Sequence, residues 1–238
     1  MGDQTTSRRD RLRMQTTAEI KAIALKLMAE GGPDAISLRA IAREMGMTAG
    51  AIYSYFPTRD DLVTTLIGDL YTALVDEAEA ARDAVPAEDA GGRILAWAQT
   101  VREWALANPE GFRLIYGDAV AGYQAPEEGP AKEAEHRACT GLTGLVAAAW
   151  PVAGQRAGGD YAWSDFDAGL AGTIQSLFPG LPPAAVALTL RVWGRMHGLV
   201  ALEIYGHLRG LTHDADELYR DEMSDLIASL GLSPAGRG

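Results

Sequence analysis

Residues 35–62 read AISLRAIAREMGMTAGAIYSYFPTRDDL, and the spacing of apolar and turn residues in this stretch decides the fold. Leu38, Ile41, Ala42 and Met45 fall at i, i+3, i+4 and i+7, one stripe of a helix that Ser37 can cap. Gly46 offers the left-handed stop that ends a helix without a Cβ clash. Thr48 can then cap a second short helix, 49–55, which turns Ile52 and Phe56 inward and ends at Pro57. Thr58 and Asp61 have the spacing of a capping box for a longer helix with Leu62, Leu66, Ile67, Leu70 and Leu74 on its inner stripe. Upstream, Ile20, Ile23, Ala24, Leu27 and Met28 predict a helix over 17–30, stopped by Gly31-Gly32-Pro33. Two short helices joined through a glycine turn and packed on a longer first helix are a helix-turn-helix, here spanning 17–62.

The second helix of such a pair enters the major groove of DNA, and the charge distribution agrees. The net charge of -11 is unevenly spread. Residues 8–59 hold nine Lys or Arg against five Asp or Glu, whereas 60–238 hold twelve against twenty-six. Such an acidic body either repels DNA everywhere except at the basic reading head or simply keeps the protein soluble, and charge alone fits both. Residues 1–16, with Arg8, Arg9, Arg11 and Arg13 and no apolar period, read as a flexible basic arm, which either reaches into the minor groove or is a tail of no consequence.

The stretch 35–62 resembles the TetR-family DNA-binding signature almost from end to end, over about the first quarter of the chain. The resemblance implies a homodimeric transcriptional regulator on palindromic operator DNA, and it implies that Arg39 reads bases. Residue chemistry points the same way. Arg39, two residues past Ser37, has the reach for a bidentate guanine contact. Ala49, Gly50 and Ala51 let the backbone approach base edges and thymine methyls. Tyr53 and Tyr55 lie off the Ile52 and Phe56 stripe, so both phenols are expected to face phosphate. Ser37, Thr48 and Arg59 stand at helix starts, where hydroxyls, amides and charge suit phosphate oxygens. Arg59 replaces the lysine common in the family, keeping the charge with a different geometry.

Residues 63–232 are expected to form one helical regulatory and dimerisation domain, making the chain all-α. Breaks fall at Pro86, Asn108-Pro109, residues 126–130, Pro151 and residues 178–183, with a loop over 152–160. Residues 184–208 are apolar around much of the helix, with Gly194, Gly198 and Ala201 permitting close approach of another helix. A last helix follows an Asp214 and Glu217 capping box. Paired with the same two helices of a second copy, these make the four-helix interface that the resemblance implies. Trp193, His197 and Gly198 resemble the Trp-x-x-x-His-Gly pattern of one TetR-type C-terminal group.

All five tryptophans fall in this body. They suit either a plain core or an apolar cavity for a small, largely apolar effector, with Trp97, Trp104, Arg113, Tyr116, Tyr123 and His197 as candidate contacts. His197 reads equally as a satisfied core or interface histidine. No phosphate-cradling loop, nucleophile elbow or histidine pair with metal spacing occurs, so neither catalytic residues nor a metal or other cofactor is expected. Glu203 and His207 at i, i+4 make a poor metal site. Cys139 is the one cysteine, and no apolar run reaches the roughly 18 residues of a membrane helix. A cytoplasmic protein without membrane attachment is expected. A repressor released by its effector is the leading reading, with an activator or architectural protein of the same fold as the alternative.

Overall fold

Helix-forming stripes dominate the sequence, and in the computed structural model, which describes residues 7–117, 120 and 122–233, they all fold as expected into helices. Among the described residues these are α1 (Arg8–Gly31), α2 (Leu38–Glu44), α3 (Ala49–Ile52), α4 (Arg59–Asp83), α5 (Ala90–Ala107), α6 (Pro109–Tyr116), α7 (Pro130–Ala153), α8 (Ala168–Leu177), α9 (Pro183–Ile204) and α10 (Ala215–Ser229), with no strand.

The boundaries correct the sequence reading in three places. Residues 8–16, expected within a flexible arm, are helix; residues 1–6 lie outside the described residues. Ser7 accepts from the Asp10 amide at 3.2 Å and caps this first turn, where Asp10 also faces the positive end of the helix. Secondly, α3 ends at Ile52 instead of residue 55. The Ser54 hydroxyl donates to the Ala51 carbonyl at 2.7 Å, and residues 53–55 continue as a tight turn with Tyr55 N–H bonded to the Ile52 carbonyl. Thirdly, α7 runs through Pro151 to Ala153, and past the proline Gly154 N–H still reaches the Trp150 carbonyl at 2.8 Å.

The chain forms two units. The first contains the described residues up to Thr72 together with Asn108–Glu133. Its core joins Ile20, Ala24 and Met28 of α1 to Ile41, Ile52, Phe56, Leu62 and Leu66, with Leu114 of α6 completing it. Ile20, Ile41, Ile52 and Leu62 are fully buried, as their helical spacing requires.

The second unit contains Ala73–Ala107 and the described residues from Ala134 onward. Here α5, α9 and α10 pack on one another. Ile94, Trp97, Ala98, Val146, Val192, Met196 and Ile227 are among its buried side chains. Gly141 is a close-approach position, since a Cβ there would stand 2.8 Å from the Trp97 ring. The single helix α4 supplies residues to both units.

Candidate nucleic-acid interface

The turn between α2 and α3 is built as its sequence dictates. Gly46 adopts φ 65, and Met47 N–H closes onto the Ala42 carbonyl at 2.8 Å. Thr48 then caps α3 by accepting from the Ala51 amide at 3.2 Å. Ile52 and Phe56 anchor the segment inward, which leaves Thr48, Ala49 and Gly50 exposed and Ala51 half-buried. A Cβ added at Gly50 would meet nothing within 4 Å, so backbone is accessible along this first turn.

Ser37, Arg39, Tyr53 and Arg59 come together, with Thr58, along one open groove. Arg39 is exposed, and among the described residues no hydrogen bond or ion pair holds its side chain. Tyr53 is 43% exposed. Ser37 is extended (φ -142, ψ 124) and, contrary to expectation, makes no side-chain cap on α2. Ser37 lines the groove instead.

Two predicted contacts differ from expectation in how they are held. Tyr55 is half-buried against the core, with the Arg13 guanidinium 5.0 Å from its ring centroid. Arg59 lines the groove but spends its donors inside the fold: Nε reaches the Ile36 carbonyl at 2.9 Å and Nη2 the Pro33 carbonyl at 3.2 Å, beside Asp34. The Pro33 carbonyl already accepts the Ile36 N–H of the 3-10 turn at 3.3 Å, and the guanidinium adds a second bond to it while reaching the Ile36 carbonyl. The Thr58 and Asp61 capping box forms in both directions, at 3.0 Å each. Thr58 joins the groove as well, a place that its capping spacing alone does not predict.

The candidate effector contacts divide between the units. Arg113, Tyr116 and Tyr123 belong to the first. There Arg113 pairs with Glu110, Tyr116 packs edge-on to Tyr71, and Tyr123 shares a 3.0 Å hydrogen bond with Thr64. Trp97, Trp104 and His197 belong to the second. Both tryptophans are buried there, and His197 lies 5.4 Å from the Trp193 ring with its pKa lowered by burial.

On α9 and α10, Leu190, Trp193, Leu202 and Leu218 are exposed, and the flanks of Gly194 and Gly198 are open. No helix among the described residues is long and apolar enough to cross a membrane.

Known proteins match both parts of this arrangement. Residues 20–66 match the family model of bacterial regulatory proteins of the tetR family, and residues 94–226 match the tetracyclin repressor-like C-terminal domain. HTH-type transcriptional regulators of Mycobacterium tuberculosis and Mycobacterium bovis are 34% identical over 200 residues, covering 84% of this chain and 84% of theirs. The solved regulatory protein SCO4313 is 31% identical with a TM-score of 0.72, over 93% of this chain and 100% of its own. A TetR variant from Acinetobacter baumannii AYE, solved in complex with minocycline, shares the fold at 19% identity and a TM-score of 0.50, over 89% of this chain and 94% of its own. With both domain models matched and relatives aligned over most of their length, the chain belongs to the TetR family of helix-turn-helix transcriptional regulators.

Proposed function

We propose that this regulator is a cytoplasmic repressor that grips palindromic operator DNA as a homodimer and is released by a small, largely apolar effector. The observation that carries the reading is the groove shared by Ser37, Arg39, Tyr53 and Arg59, taken together with the exposed first turn of α3. Arg39, with no partner of its own among the described residues, reads guanine through paired donors. Ala49, Gly50 and Ala51 bring backbone to the base edges. Ser37, Thr48 and Tyr53 hold phosphate oxygens, Tyr55 contributes its half-exposed edge, and Arg59 braces the segment from within.

One short reading helix covers too little DNA, and two must stand about 34–36 Å apart to meet successive major grooves. The exposed apolar residues of α9 and α10 suit pairing with a second copy. Trp97, Trp104 and His197 are the candidate effector contacts of the second unit, and Arg113, Tyr116 and Tyr123, taken separately, those of the first. That the A. baumannii protein, which shares the fold, binds minocycline supports a small-molecule effector here. Because α4 belongs to both units, an effector that favours the non-binding placement of α4 shifts the population away from DNA.

Selection of genomic fragments by the purified protein, followed by gel-shift titration, tests the reading. A recurring palindrome near a promoter, whose complex is dissolved by an aromatic or otherwise apolar small molecule, is the expected result. Binding that ignores sequence would overturn it.

A further inference from the structure

The first turns of α1 present a puzzle of stability. Residues 8–15 are all exposed, so burial does not hold them helical, and four of them are arginines. One of these is engaged with the fold at long range. Arg13 Nη2 donates to the Ser54 carbonyl at 2.9 Å, and its guanidinium stands 5.0 Å from the centroid of the Tyr55 ring. Ser54 and Tyr55 form the turn in which α3 ends, where carbonyls lack helical partners and a cation is favoured. Tyr53, one residue earlier, is the exposed phenol of the groove.

We propose that Arg13 is a positioning residue for sequence recognition: it clamps the 53–55 turn from outside, by hydrogen bond to Ser54 and by stacking on Tyr55, and so fixes the direction in which Tyr53 and the start of α3 meet DNA. The proposal rests on the groove being the DNA-reading surface. It gives residues 8–16 a function other than that of a loose basic arm. An Nη2 donor and a flat guanidinium face, which would otherwise serve phosphate, are spent on the protein's own turn. Arg8, Arg9 and Arg11, exposed on the same turns, have no such contact among the described residues. Loss of the clamp therefore costs discrimination between sequences more than it costs general attraction to DNA.

The test uses the full-length protein, its selected operator and a scrambled duplex of equal length, titrated over a range of salt concentrations. Arg13→Ala is expected to weaken operator binding roughly tenfold, with scrambled-duplex affinity changed by less than about threefold and the salt slope unaltered. Arg13→Lys, which keeps a donor and a cation over the ring, is expected to recover most of the loss. In a Tyr55→Leu background, where the stacking partner is gone, Arg13→Ala is expected to lose much of its effect. Unchanged operator affinity in Arg13→Ala would overturn the proposal. So would a parallel fall on both duplexes with a shallower salt slope and additive Tyr55→Leu and Arg13→Ala losses, the behaviour of a phosphate contact. If the unaltered protein itself shows no preference for its operator, the underlying DNA-reading assignment fails instead.

Discussion

Arg102 holds both oxygens of the Glu203 carboxylate, its Nε and Nη2 donating to Oε2 and Oε1 at 3.0 Å each. Its Nη1 reaches Asp216 at 2.7 Å, and the ring of Tyr219 lies 5.4 Å away. With Tyr219 donating to the Ala98 carbonyl at 2.9 Å, one buried guanidinium ties α5 to both α9 and α10. A bidentate pair fixes direction as well as distance, so it sets how the two C-terminal helices lie on α5.

Breaking this pair from one side leaves a buried charge short of acceptors. Glu203→Gln is expected to lower the unfolding free energy by about 2–4 kcal/mol, the lower figures reflecting the partial exposure of Glu203. The combined Arg102→Met and Glu203→Leu change is expected to recover most of that loss, because neither charge then remains. Urea unfolding of the three proteins checks both expectations.

His197 makes stability depend on pH in a defined direction. Burial lowers its pKa from the ordinary 6.5, so the unfolded chain binds the proton more readily than the fold does. The resulting stability is full above the ordinary value and is lost as pH falls from there through the lowered value. Urea midpoints measured from about pH 8 down to about pH 5 are expected to decline through that window, and His197→Gln to flatten the decline.

Arg59 illustrates where sequence reading ran short. Its place beside the capping box suggested a phosphate contact, while its donors serve the carbonyls of Ile36 and Pro33. Arg59→Ala is expected to reduce stability by about 1–2 kcal/mol. Operator binding should weaken without a change in salt slope, as salt-dependent titration would read. A slope shallower by about one charge per subunit would place Arg59 on phosphate after all.

The features legible in the sequence are those encoded locally. The stripes of α1, α2 and α4, the Gly46 turn, the Thr48 cap and the Thr58 and Asp61 box each depend on residues within a few positions of one another. What was not legible depends on partners far along the chain. Residues 8–16 carry no apolar stripe, and the long-range contact of Arg13 is with a carbonyl 41 positions away. The early end of α3 and the half-burial of Tyr55 follow from that same turn. Residue type points to the candidate effector contacts, but it carries no information on burial or on which unit holds them, and Trp97 and Trp104 are buried in one unit while Tyr116 and Tyr123 belong to the other.

The central claim is that an exposed arginine in the α2–α3 groove reads DNA sequence. Its most direct test is the affinity of Arg39→Ala for the selected operator and for a scrambled duplex, measured side by side with the unaltered protein. Operator binding is expected to weaken by roughly 1–3 kcal/mol, with preference over the scrambled duplex shrinking accordingly. An Arg39→Ala protein that keeps its full preference for the operator would contradict the account.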